Sequence, residues 1–476
     1  MFSLRNGTLP ANALLVVIGA AAGAGVTVLV SPILGKRNEP RSLAAQENPT
    51  VRSGGTFSNG KEPTVSEALR IEDAIRRAAS LREAGAGAAR RDPKAALESA
   101  DKLQSDQDKL EFLRGIYSEW SVNDPESALE HAKTSMTTGQ ARSEVIGIAV
   151  NKWAARDPRA AWMWTEENLS GPLKEQAFAD VLVGWTRRSP EAAADWLGAT
   201  GMNSQSLVGS VARTWAEQDP KAALAWAKSI PDKEARQSAY IPVVSQWLVQ
   251  KPAEAAAEFT DEASLPDGAP IAITIADIWG TTDPAATSEW IASLPEGASK
   301  EQAAATLATV WAASDINAAV SWASNLTNPD VREQVITHIG TSWGAIEPDA
   351  ALAWLNTLPP ALAADGIIGA FNSWAATDAQ RLRDWVDSNP PSASLDVARM
   401  ALAEVYSDSD VQSSMDLAFQ LSSATNRDNA ISRYYKHWMK TDEASASAWL
   451  TQNWSALDVS TRQRLTMENQ RRVVRK

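Results

Sequence analysis

The side chains in this chain that could do chemistry are of few kinds. There are three histidines, no cysteine, 58 Asp and Glu residues, and 20 tryptophans against 5 tyrosines and 7 phenylalanines. His131, His338 and His437 lie far apart, and none belongs to a His-x-x-x-His or Glu-flanked pair that would turn two imidazoles toward one zinc ion. The lack of cysteine removes thiolate metal sites, disulfides and a thiol nucleophile together. No Gly-x-Ser-x-Gly elbow occurs, and the Gly-x-Gly at Gly23 and Gly25 sits inside an apolar run that cannot cradle a phosphate. The carboxylates follow helix starts and exposed faces, so no acid–base pair stands out. The expectation is a chain with no catalytic, cofactor-binding or metal-binding residues, and not an enzyme. That leaves tryptophan. An exposed indole would offer a stacking platform for a sugar, whereas a buried one is packing.

The spacing of the tryptophans decides between these readings. A leading Trp recurs at 120, 153, 185, 215, 247, 279, 311, 343, 374 and 438, with Tyr406 filling the one gap, so successive positions are 30 to 33 residues apart. Four residues after each leader comes a helix-start signal, in full as Asp124-Pro125, Asp157-Pro158, Asp219-Pro220 and Asp283-Pro284. Ser189, Lys251 and Glu347 keep only the proline, while Asp315, Asp378, Asp410 and Asp442 keep only the aspartate. Aspartate before a helix accepts hydrogen bonds from free first-turn amides, and its charge suits the positive end of the helix dipole. Proline at the first helical position has no amide to leave unpaired, and it disfavours helix in the residue before it. Asp-Pro therefore ends one helix and begins the next.

A second aromatic stands eleven residues after the leader, at Trp164, Trp196, Trp226, Trp290, Trp322, Trp354, Trp385 and Trp449, with His131 and Leu417 in the same slot and Phe259 one place late. Small residues three and four places earlier, such as Ala222 and Ala223 before Trp226, share its helical face. Upstream of the leader the apolar residues form an amphipathic stripe, as in Leu113, Ile116 and Tyr117 before Trp120, or Phe178, Val181 and Leu182 before Trp185. Both tryptophan slots are expected in the buried register. Trp162 and Trp454 alone fall outside them, which makes them the first places to look for a stacking indole.

The predicted fold is all-α: about twelve helical hairpins of some 32 residues over 64–454, beginning with the Trp-less unit at Asp92-Pro93, and a basic capping helix over 455–476. This layout resembles the two-helix α-solenoid class that includes tetratricopeptide and Sel1-like repeats, over residues 64–476. The likeness lies in period and hairpin layout. The Trp-Leu-Gly-Tyr signature of tetratricopeptide first helices is absent. The resemblance implies an extended concave surface that binds proteins or peptides.

Residues 1–13 form a short tail, and 14–34 an uncharged run of 21 residues, about 30 Å as a helix and long enough to cross a bilayer. It exceeds the apolar core of an ordinary signal peptide, so it reads as an uncleaved anchor. Gly19 and Gly23 form a small-xxx-small pair of the kind that brings two membrane helices together as a homodimer. Residues 35–63 are rich in Pro, Gly, Ser and Asn and read as a flexible tether. Lys36, Arg37 and Arg41 after the span point to a cytoplasmic body. The very short tail and the missing cysteines point to a periplasmic one, and the reading adopted is a single-pass inner-membrane protein with a periplasmic body.

Net charge is −13, with both ends basic, so residues 61–454 hold about −20 and would repel nucleic acid. The functional expectation is a membrane-tethered scaffold or adaptor for protein or peptide partners in the bacterial cell envelope. The alternatives are a periplasmic holdase-type chaperone near translocation machinery and a polysaccharide-binding or processing protein.

Overall fold

At residue 219 the turn forms for the reason the sequence gives. The first helix of that hairpin, Gln205–Ala216, ends where the Asp219 amide donates to the Trp215 carbonyl at 2.9 Å. Asp219 leaves the helical region at φ −143° and ψ 91°, and its carboxylate accepts from the Lys221 and Ala222 amides at 3.1 and 3.0 Å. Pro220 then opens the second helix, Pro220–Ser229. The same backbone bond, from the fourth residue on to the leader's carbonyl, recurs at Asp124, Asp157, Asp283, Asp315, Asp378 and Asp442 at 2.7 to 2.9 Å, and from Asp410 to Tyr406 at 2.7 Å. Ser189, Lys251 and Glu347 keep that bond but place no side-chain cap. Asp219→Ala should therefore cost about 1 kcal/mol, in the ordinary range for losing an aspartate cap. Urea unfolding followed by circular dichroism measures it, and an unchanged midpoint would remove the capping argument.

The structure, a computed structural model, describes residues 62–473 apart from 136–138, 203 and 266. These residues form 27 helices, and among them there is no strand. The expected span at 14–34, with Gly19 and Gly23, lies outside the described residues, as does the tether as far as residue 61. No described helix is long and apolar enough to cross a membrane.

The described residues divide into two compact bodies, the first ending at Glu262 and the second beginning at Ala263. In the first, six helix pairs follow the short helix Val65–Ala68, from Ala74–Arg91 with Pro93–Ala100 to Lys233–Gln250 with Pro252–Glu258. The second has six pairs, from Ala269–Gly280 with Pro284–Ser293 to Ala424–Thr441 with Glu443–Asn453, followed by Val459–Val473. Inside each body a helix makes extensive contact only with helices one or two places away in the chain. The first helices of successive pairs pack on one another, throughout the first body and in the second as far as Ala393–Tyr406, while second helices make no extensive contact among themselves. Ala393–Tyr406 and Ala424–Thr441 stand further apart than the other first helices, bridged by Arg433 on Glu404 and by the Tyr434 hydroxyl donating to Glu404 at 3.3 Å.

The core follows the leading slot. Trp120, Trp153, Trp185, Trp215, Trp247, Trp279, Trp374 and Trp438 are buried, and Trp311 and Trp343 half-buried. The second slot departs from the expectation. Only Trp290 and Trp449 are buried there, whereas Trp164, Trp196, Trp226, Trp322, Trp354 and Trp385 are half-buried. The second helix turns a stripe such as Ala223, Leu224 and Ala227 inward, and Trp226 sits beside that stripe. Its ring lies over Trp215, with centroids 5.7 Å apart, and closes the seam between the two helices of the hairpin. The pairs Trp185–Trp196 and Trp311–Trp322 repeat this at 5.6 Å.

Glycine sets the spacing of the first-helix layer. A Cβ on Gly115 would lie 2.0 Å from the Arg82 carbonyl oxygen, and one on Gly184 would lie 2.1 Å from the Asn151 carbonyl oxygen. The terminal helix Val459–Val473 docks through buried polar groups. The buried Asp428 carboxylate accepts from the Ser460 hydroxyl at 2.6 Å and from the Thr461 hydroxyl, with Leu457 and Leu465 buried alongside. The Thr461 amide donates to Asp458 at 2.9 Å and holds that carboxyl below the usual range.

Candidate functional site

The two tryptophans outside the repeat slots part company. Trp162 is not a stacking platform: it is 4% exposed and lies on Phe178 with ring centroids 4.1 Å apart. It lies in the second turn of Pro158–Asn168, where its indole reaches the neighbouring first helix Gly171–Arg188. Trp454 is exposed at 40%, with the Arg462 guanidinium 5.8 Å from its ring.

The histidines stay apart, each in its own contact. His131 Nδ1 lies 2.7 Å from the Tyr117 hydroxyl, with its ring 5.8 Å from Trp120 in the slot where other hairpins carry tryptophan. His338 Nδ1 lies 3.2 Å from the Thr309 hydroxyl, and His437 Nε2 lies 3.4 Å from Asp408. Among the described residues no three His, Asp or Glu side chains converge where a metal could sit. Burial lowers the His131 pKa, opposed by nearby Asp101, and burial alone lowers that of His338. It also pushes the Tyr117 hydroxyl well above the usual phenol range. Because both histidine pKa values are lowered in the folded chain, the unfolded chain binds more protons just below the ordinary value of 6.5. Their share of stability is thus complete above that value and is lost as pH falls through it toward the folded pKa. The thermal midpoint should drop between pH 7.5 and pH 5.5, and less so in His338→Gln. A midpoint that rises over that interval contradicts the sign.

The residues best placed to meet a partner lie on the first-helix layer of the first body. A groove of about 740 Å³ crosses Ala74–Arg91, Asp106–Asn123, Gly139–Ala154 and Gly171–Arg188. Its lining includes the small residues Ala86, Gly115 and Gly147 and the charged residues Arg82, Arg114, Lys152 and Arg187 with Glu144 and Asp180. Two of the cations are already matched. Arg114 donates to Glu111 at 2.6 Å and to Glu144 at 2.9 Å, and Arg82 stands 3.4 Å from the buried Glu111. Asp180 is packed so closely on Gly147 that an added Cβ there would lie 2.5 Å from its carboxylate, and burial raises its pKa. Beside it the Asn151 amide donates to the Asp180 carbonyl at 3.0 Å.

Reading the sequence for motifs missed this groove because it has none. The available signal was register: Arg82 and Arg114 are 32 residues apart, one repeat, and both lie off the apolar stripe. No protein-family model matches the chain, and no curated protein matches it. The helical-repeat architecture therefore rests on the chain's own period and on neighbour-to-neighbour packing.

Proposed function

We propose that this chain is a membrane-tethered helical-repeat scaffold or adaptor that binds protein or peptide partners in the bacterial cell envelope, and that it catalyses no reaction. The observation that carries this reading is the groove across four successive first helices, lined by polar and charged side chains that take no part in the repeating core. A layer of parallel helices with small residues between charged rows offers a long, shallow, divisible surface, which suits a polypeptide better than a compact small molecule. The apolar run at 14–34 and the tether after it support placement at a membrane, and the very short tail and missing cysteines support a periplasmic body. Cross-linking the full-length protein in native membranes, followed by affinity purification and mass spectrometry, tests the reading. One reproducible, near-stoichiometric partner supports the scaffold and reports its compartment. A broad set of unrelated, partly unfolded clients would replace it with a holdase.

A further inference from the structure

The charge along the groove is not evenly compensated. At one end Arg82 and Arg114 share Glu111 and Glu144, so little cationic character is left over. At the other end Lys152 and Arg187 are exposed, and among the described residues no carboxylate lies within ion-pair reach of either. The nearby Asp180 carboxylate packs against Gly147, with the Gln176 amide 3.4 Å away. This cationic end stands out on a chain whose middle segment, 61–454, is strongly acidic. An acidic partner is disfavoured by a surface of the same sign and favoured by a stretch of opposite sign such as this one.

The size of the groove sets the length of what fits. Packed helices lie about 8–10 Å apart, so four in a row span roughly 25–30 Å, which about eight or nine extended residues would cover. The Ser118 hydroxyl and Asn151 side chain line the track and offer polar partners to a bound chain. We propose that this groove is a docking site for an extended acidic segment of a partner protein, with Lys152 and Arg187 receiving its carboxylates. The assignment rests on the scaffold reading above and adds the partner's chemistry to it.

Fluorescence anisotropy on the full-length protein in detergent tests it. The probe is a labelled nine-residue Gly-Ser peptide carrying four glutamates and an amidated C-terminus. The comparators carry glutamine instead, with either an amidated or a free C-terminus. The acidic peptide should bind at least about tenfold tighter than either comparator, and salt should weaken it. Lys152→Glu with Arg187→Glu should lower its affinity by at least about tenfold, while Lys94→Glu on a second helix leaves it unchanged. Both groove side chains are exposed, so the fold should survive. Lys152→Gln with Arg187→Gln is the milder variant and should lose affinity in the same direction. Equal binding of the acidic and glutamine peptides, or full affinity in the double variant, overturns the assignment. Preference for the free C-terminus alone also overturns it, since the end carboxylate would then be the ligand. If these tests fail while the native cross-linked partner is still recovered, the groove assignment falls and the scaffold reading stands. If wild-type protein yields no partner, it is the scaffold reading that falls.

Discussion

Trp247→Ala is expected to destabilise its part of the array by about 3–5 kcal/mol, the range for removing a large aromatic from a packed core. Trp247 is 1% exposed, and its ring meets Phe259 edge-on with centroids 6.3 Å apart. Its loss would open a cavity at the point where the first and second helices of one hairpin meet. The half-buried Trp226 provides the internal comparison, since Trp226→Ala removes less buried surface and should cost roughly half as much. Denaturant unfolding followed by far-ultraviolet circular dichroism gives both values. In an array of this kind the loss is local, so a new early transition is expected beside the main one. A cost below about 1 kcal/mol at Trp247, or an equal cost at both positions, would contradict the assignment of the leading slot as the core anchor.

The second large effect is expected at Gly115. Leucine there cannot be accommodated by a side-chain rotation, because the Cβ itself would lie 2.0 Å from the Arg82 carbonyl oxygen and 2.9 Å from the Ala86 amide nitrogen. The two first helices would have to move apart, and Gly115→Leu should cost about 3 kcal/mol or more, at the upper end for overpacking. Gly198 is the control: it lies in the helix Pro190–Thr200, and a Cβ there meets nothing within 4 Å. Gly198→Ala should stabilise the chain by about 0.5–1 kcal/mol through helix propensity and a less disordered unfolded state. Thermal unfolding of the two variants should therefore shift in opposite directions. Shifts of the same sign would show that close approach of the first helices does not govern the array.

The local structure was largely readable from the chain, because the signals that set it are local. Asp-Pro, the leading tryptophan and the stripe of Ile116 and Tyr117 or Val181 and Leu182 each act within one or two helical turns, and the structure places them in the capping and core roles their spacing indicates. What could not be read depends on a neighbouring hairpin. Trp162 looked free because it stands outside the repeat slots, but Phe178 of the next first helix covers it. Trp226 shares a face with Ala222 and Ala223, but short second helices bury a narrow stripe, which leaves the indole at the seam. Pro242 breaks the punctuation rule by sitting inside the helix Lys233–Gln250. Of the candidate site, the charged residues were visible, but not their pairing. Arg114 is neutralised by Glu144, thirty residues away, whereas Lys152 and Arg187 are not, and only the packing of successive first helices separates the two cases.

Contacts confined to near neighbours along the chain have a mechanical consequence. A chain held at one end and loaded at the other has no distant strand pairing to shear, so it should yield by peeling, one hairpin at a time, from whichever end is weaker. Each hairpin would release about 32 residues, roughly 110 Å of extended chain, as one step in a sawtooth of near-equal increments. The same locality keeps loop-closure costs low, so refolding after the load is removed should be fast and should start from any intact pair. Such a molecule would behave as a ratcheting shock absorber, which lengthens under strain without unravelling as a whole.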